Sequence, residues 1–147
     1  PAETKACNCG NKGCLEQYAS ATGIARLAKE ALESETEDSV LRTVKNISAK
    51  SVFDAYKEGD ALAGKIVDKF AAYLGNALAV FACVSDPDVF VIGGGVSKAG
   101  QVLIDAVEKY YKAHAFTASK ETPIKLATLG NDAGIYGAAK LILSKDN

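Results

Sequence analysis

Val89-Phe90-Val91-Ile92-Gly93-Gly94-Gly95-Val96-Ser97 decides the fold class of this chain. Its first four residues are β-branched or aromatic with no polar alternation, the pattern of a strand covered on both faces in a parallel sheet. Asp86-Pro87-Asp88 breaks the element before it, because proline has no amide proton and disfavours helix in the preceding residue. The glycines end the strand. Downstream, Val102, Leu103, Ala106, Val107, Tyr110 and Tyr111 recur at helical spacing and predict a helix over 99–113. A second strand is expected over 123–128 around Ile124 and Leu126, then a turn over 129–133 and a closing helix over 134–143. That order gives an α/β layer of parallel strands joined by helical crossovers.

Upstream of Asp86 the chain reads as helical. Ile24, Leu27, Ala28, Ala31 and Leu32 make an amphipathic stripe, with Ser20 or Thr22 as its cap. Residues 33–38 are acidic and read as a solvated loop. Val52, Phe53 and Tyr56 share a face of a short helix over 49–56, which Gly59-Asp60 ends while capping the next. The longest helix, over 60–84, carries Leu62, Ile66, Phe70, Leu74, Leu78 and Phe81 on one stripe. Apolar residues surround it after Ala77, so its C-terminal half is expected to be buried on most sides. Gly75 suggests close packing against another element. Two strands make a thin sheet. With no methionine and a start at Pro1, the chain reads as part of a larger protein whose further strands precede it.

The 147 residues suit one domain, with 48% hydrophobic and 24% charged residues. A net charge of -1 supplies no basic field for nucleic acid. The longest apolar run, 77–84, is too short to span a bilayer, no secretory pattern is visible, and no membrane partner is expected. Four cysteines without paired spacing suggest a reducing compartment, hence the cytoplasm.

Three of those cysteines lie in Cys7-Asn8-Cys9-Gly10-Asn11-Lys12-Gly13-Cys14-Leu15-Glu16; Cys83 lies far away in an apolar run. Thiolates gathered this closely suit a structural zinc ion, which takes four N or S ligands in a tetrahedron. A disulfide within Cys-x-Cys is strained and leaves a third thiol over, and a redox pair normally reads Cys-x-x-Cys. Gly10 and Gly13 allow sharp turns between ligands. The fourth ligand is either brought in by folding or lies outside this sequence. His114, the single histidine, sits near a helix C-terminus and reads as a surface residue. Glu16 follows the cluster: its carboxylate is either preset for hydroxyl groups, as in a sugar, or a first-turn residue favoured by the helix dipole. Gly93, Gly94, Gly95 and Val96 form a side-chain-poor surface at a strand's carboxyl end, where α/β proteins bind ligands, or simply a tight turn. Small residues at Gly134, Gly137, Ala138 and Ala139 allow close approach of a ligand or of a neighbouring helix, with helix packing the expectation from these residues taken alone, and Asp132 suits an N-cap.

Together, Cys7-x-Cys9-Gly10-x-x-Gly13-Cys14-x-Glu16 and Ala19-Ser20-Ala21-Thr22-Gly23 resemble the zinc segment of the ROK family (repressors, open reading frames and sugar kinases), in particular its bacterial glucokinases. Asp86-Pro87-Asp88-Val89 running into Gly93-Gly94-Gly95-Val96-Ser97, and Gly130-Asn131-Asp132-Ala133-Gly134 running into Gly137-Ala138-Ala139, are similar to later blocks of the family in the same order. The resemblance covers essentially the whole chain. It implies an actin-like ATPase (ribonuclease H-like) fold, with this chain as the C-terminal half of a two-domain sugar kinase: a zinc loop over 7–16, a helical part over 17–85 and an adenosine-side α/β part over 86–147. It implies that Cys7, Cys9 and Cys14 bind structural Zn²⁺ with an upstream histidine absent here, that Glu16 binds sugar hydroxyls, and that Gly93, Gly94, Gly95 and Val96 line the ATP site. The implied reaction is transfer of the ATP γ-phosphoryl group to the glucose 6-hydroxyl with Mg²⁺, by a homodimer. The family's phosphate-binding Asp-x-Gly-Gly-Thr segment and its catalytic aspartate do not occur in this sequence, so the chain alone is expected to be inactive. The alternatives are a sugar-sensing repressor of the family, or a kinase for mannose, fructose or N-acetylmannosamine.

Overall fold

In a computed structural model, which describes residues 6–144, the β-branched run forms β1 (Phe90–Ile92). It pairs in parallel with β2 (Ile124–Leu126), Phe90 opposite Ile124 and Ile92 opposite Leu126. Between them runs α5 (Gln101–His114), which makes the crossover that parallel strands require. The helices before β1 are α1 (Glu16–Ala19), α2 (Ala21–Ser34), α3 (Ala49–Lys57) and α4 (Ala61–Ser85); α6 (Ala133–Leu143) follows β2.

Polar side chains set the helix starts. Ser20, rather than Thr22, caps α2 by accepting from the Gly23 amide at 2.9 Å. Ser48 and Ser51 close a reciprocal capping box on α3. Asp60 caps α4 through the Ala63 amide, and its other oxygen takes the Val40 amide, both at 2.8 Å. This second bond ties a 3-10 turn at Val40–Thr43 to the start of α4.

The core lies where α4 meets α2, α3 and α5. Leu62, Ile66, Val67 and Phe70 of α4 pack with Ile24 and Leu27, with Val52 and Phe53, and with Leu103, Val107 and Tyr111, all buried. Each such side chain contributes about 1.5–3 kcal/mol on burial. Phe53 meets Phe70 edge to face at 6.1 Å, and Phe90 of β1 meets Tyr111 at 5.8 Å, which seats the sheet on α5. Gly75 faces the α5 backbone: a Cβ there would lie 2.7 Å from Tyr110 Cβ and 2.8 Å from the Val107 carbonyl oxygen. The expected close approach at Gly75 is therefore present.

Three expectations are not met. The C-terminal half of α4 is not covered on most sides: Val80, Phe81 and Val84 are 61%, 48% and 82% exposed. The β1 strand is not covered on both faces: α5 takes one, while Val91 on the other is 60% exposed. Among the described residues no helix packs on the small residues of α6, which buries none of its residues; a Cβ at Gly134 or Gly137 meets nothing within 4 Å. In each case the apolar composition is real, but the element that would cover it is not among the described residues. Asp132 stands at the N-terminus of α6 without a side-chain capping bond. By length and hydropathy α4 is also long and apolar enough to cross a membrane. Its buried stripe, from Leu62 to Ala82, belongs to the core described above.

Candidate functional site

The cysteine segment folds into a small knuckle. Ala6 and Lys12 form an isolated antiparallel bridge, and the Cys7 amide donates to the Asn11 carbonyl at 2.7 Å. The Gly10 amide returns to the Cys7 carbonyl at 2.9 Å. Gly10 and Gly13 take φ of +87° and +73°, a region that side-chain-bearing residues rarely adopt. These turns bring the three sulfurs within 4.8 Å of one another, with Cys9 and Cys14 Sγ at 3.5 Å. A zinc–sulfur bond of about 2.3 Å in a tetrahedron separates its sulfurs by about 3.8 Å, so the donor set fits zinc without rebuilding the loop. His114 lies outside this group; it is exposed and its Nδ1 pairs with the Tyr110 carbonyl at 2.9 Å. All four cysteines are free thiols.

The thiols share their protons unequally. The Asn11 backbone amide, and then the Cys14 and Cys7 side chains, hold Cys9 below the usual thiol range. The Cys9 side chain, with some burial and Cys7, pushes Cys14 up to about 11. A cluster that cannot release all of its protons at neutral pH suits a divalent cation, which supplies the missing positive charge.

Glu16 opens α1 directly after the knuckle. Its Oε1 accepts from the Thr22 hydroxyl at 3.2 Å, and its Oε2 lies 3.9 Å from Cys7 Sγ and 3.5 Å from Gln17 Nε2. The carboxylate faces a cleft of about 190 Å³ lined with Asn8, Gln17, Thr22, Gly23 and Arg26. The cleft is polar, which suits a hydroxyl-rich ligand.

The glycines after β1 divide their roles. A Cβ on Gly93 would touch Ala127 Cβ at 3.4 Å, so Gly93 belongs to the packing beneath β2. Gly94 takes φ +74° and makes the turn. Gly95 and Val96 begin a 3-10 turn, Gly95–Ala99, and with Ala49, Lys50 and Phe53 of α3 they line a mostly apolar cleft of about 120 Å³. Of the four residues, the structure thus brings Gly95 and Val96 to a cleft.

The two clefts have no lining residue in common, but the start of α2 lies between a residue of each. Gly95 stands against Ala21, with 3.7 Å from its Cβ direction to Ala21 Cβ. Ala21 sits between Ser20 and Thr22, whose hydroxyls bond at 2.8 Å, and Thr22 continues to Glu16. Thr22, Arg26, Lys50 and Phe53 do not stand out as site residues in the sequence alone. Their signal is faint: Arg26 and Lys50 sit on the polar faces of ordinary amphipathic helices.

Comparison with known proteins adds to this geometry. The sequence signature of the ROK family matches residues 1–145. A glucokinase of Halalkalibacterium halodurans is 42% identical over 145 residues, covering 96% of this chain and 44% of that protein. An N-acetyl-D-glucosamine kinase of Haemophilus influenzae is 34% identical over 143 residues, covering 95% and 42%. Among solved structures, the ROK family glucokinase from Streptomyces griseus in complex with glucose and AMPPNP superposes with a TM-score of 0.82 at 33% identity, over 92% of this chain and 46% of that one. A ROK family transcriptional regulator, a homologue of the E. coli MLC protein, superposes with a TM-score of 0.71 at 29% identity, over 83% and 31%. The chain spans less than half the length of these curated relatives.

Proposed function

This chain belongs to the ROK family and has its α/β, actin-like ATPase fold, and on that premise we propose that it is the C-terminal half of an ATP-dependent kinase that phosphorylates glucose at the 6-hydroxyl. The observation that carries the reading is the Glu16 carboxylate. Thr22 holds it beside a polar cleft, directly after the knuckle. A fixed carboxylate accepts two hydroxyl donors from a hexose without first ordering itself, and such preorganisation lowers the cost of binding. The cleft at Gly95 and Val96 has the apolar, side-chain-poor lining that suits the flat face of adenine.

Cys7, Cys9 and Cys14 would hold zinc. The ion supplies a staple for the backbone leading into Glu16, with no part in the chemistry. Transfer of the γ-phosphoryl group needs Mg²⁺, a base and both substrates aligned between two domains. The residues of this chain bind and orient; the base lies in sequence beyond it. The free thiols suit a cytoplasmic setting, and the exposed apolar surfaces of α4 and α6 suit a chain completed by further sequence and by a second copy.

The test is a coupled ATP-consumption assay of the full-length protein with glucose, mannose, fructose, N-acetylmannosamine and N-acetylglucosamine. Glucose is expected to give the highest kcat/KM. Preference for another of these sugars would replace the substrate and keep the kinase. A protein that phosphorylates none of them but binds operator DNA would establish the second reading, a sugar-sensing regulator, which the fold match to the family regulator supports.

A further inference from the structure

We infer that Arg26 is a positioning residue for the Glu16 carboxylate, and that with Gly23 it forms a second seat for that carboxylate that does not depend on metal. The inference rests on reading Glu16 as the sugar ligand. The helix that carries Glu16 is a single turn, Glu16–Ala19. A helix this short makes almost no internal hydrogen bonds and does not form on propensity alone. Something outside it must hold it.

Arg26 does so from one side. Its Nη2 donates to the Gln17 carbonyl at 2.6 Å and its Nε to the same oxygen at 3.2 Å. Its Nη1 pairs with Glu30 at 2.9 Å, and its guanidinium lies 4.9 Å over the Tyr18 ring. Tyr18 in turn stacks on Tyr73 of α4 at 4.2 Å. A peptide, a carboxylate and an aromatic ring therefore fix the guanidinium plane, and the last of these is anchored to the central helix. Lysine has one compact donor head and cannot fill these places together.

Gly23 acts from below. A Cβ at this position would lie 2.8 Å from the Gln17 carbonyl oxygen and 2.9 Å from that of Glu16. The single turn thus rests directly on the backbone of α2. Thr22, the neighbour of Gly23, holds the Glu16 side chain itself. The knuckle fixes the chain entering Glu16, whereas the Gly23–Arg26 face of α2 fixes the chain leaving it. Arg26 acts through Gln17 and Tyr18 and is not a catalytic residue.

The test uses the full-length protein and four variants, Glu16→Gln, Arg26→Met, Arg26→Lys and Gly23→Ala. Each is measured for glucose dissociation constant by calorimetry without nucleotide, for zinc content, and for the KM of both substrates and kcat. Arg26→Met is expected to weaken glucose binding roughly tenfold, the scale of one charge-assisted hydrogen bond. Its zinc content and ATP KM should be unchanged, and Arg26→Lys should recover part of the loss. Gly23→Ala replaces glycine with a better helix former, so it keeps α2 while displacing the turn above it; it should weaken glucose binding as well. If Glu16→Gln leaves glucose affinity intact, the sugar-site reading falls and the inference with it. If Glu16→Gln weakens binding while Arg26→Met and Gly23→Ala bind as the unmodified protein does, the Arg26 inference alone is overturned. Loss of zinc together with glucose in Arg26→Met would overturn its independence from the metal.

Discussion

Gly75→Ala tests the joint on which the glycine-lined cleft depends. The added Cβ would lie 2.7 Å from Tyr110 Cβ, 2.8 Å from the Val107 carbonyl oxygen and 2.9 Å from the Tyr111 amide nitrogen. Two of these three atoms are α5 backbone, which cannot rotate aside. Relief requires α5 to move away from α4 by several tenths of an ångström, and that loosens the fully buried Val107 and Tyr111. Overpacking of this kind costs about 1–3 kcal/mol, and the backbone clash favours the upper end. Alanine returns about 1 kcal/mol as a better helix former than glycine. The net expectation is a loss of about 2 kcal/mol, which lowers the midpoint of urea unfolding by roughly 1 M at a slope near 2 kcal/mol per M. Far-UV circular dichroism of the full-length protein reads the transition. Because α5 follows the Gly95–Ala99 turn directly, the ATP KM should rise as well. An unchanged or higher unfolding midpoint would refute the packing argument.

Other outcomes follow from the same geometry. For Asp60, burial raises the carboxyl pKa, but hydrogen bonds from Ala63, Ser39, Val40 and Leu62 outweigh it and leave the folded value low. Its contribution is therefore full above the unfolded value of about 3.9 and is lost as pH falls through the lower folded value. Asp60→Ala should cost about 1 kcal/mol near neutral pH, and the difference in urea midpoint from the unmodified protein should narrow below about pH 4; a pH-independent difference would contradict the capping account. Zinc affinity, measured by chelator competition, should rise from pH 6 to pH 8, because Cys14 at about 11 must give up its proton to bind metal; a flat profile would exclude thiolate ligation. Gly95→Val sets its side chain against Ala21 at the edge of the cleft that Phe53 and Lys50 line, so it should raise the ATP KM roughly tenfold or more and change the glucose dissociation constant less; an unchanged ATP KM would remove Gly95 from the nucleotide site. The 147-residue chain by itself should show no glucose phosphorylation in the coupled assay, and turnover at the full-length rate would refute the division of labour between halves.

Much of this fold is legible from local pattern. The stripes of α2, α3, α4 and α5 and the β-branched run of β1 are strong periodic signals, and the capping residues Ser20, Ser48 and Asp60 stand where such residues belong. What pattern does not reveal is held by distant contacts. The single turn of α1 has no periodicity; Arg26 and Gly23 hold it. The 3-10 turn at Val40–Thr43 depends on Asp60, twenty residues on, and on Arg42, which bonds the carbonyls of Leu32, Glu35 and Glu37. Apolarity around the end of α4 signals burial, but composition does not say which sequence does the covering. At the site, cysteine spacing points directly to metal chemistry, since few other arrangements need three thiols in eight residues. The split among the glycines is different. Gly93, Gly94 and Gly95 are equivalent as letters, and only the packing of Ala127 and Ala21 around them separates a floor, a turn and a cleft wall.

The residues Ser20, Ala21 and Thr22 have one more consequence. If a hexose sits on the Thr22 flank and a purine beside Gly95, which stands against Ala21, both guests bear on the first turn of α2. Reciprocity then holds as a thermodynamic obligation: whatever factor the sugar lends to nucleotide affinity, the nucleotide returns to the sugar. Four dissociation constants close that square, and a coupling of one would mean that the shared turn transmits nothing.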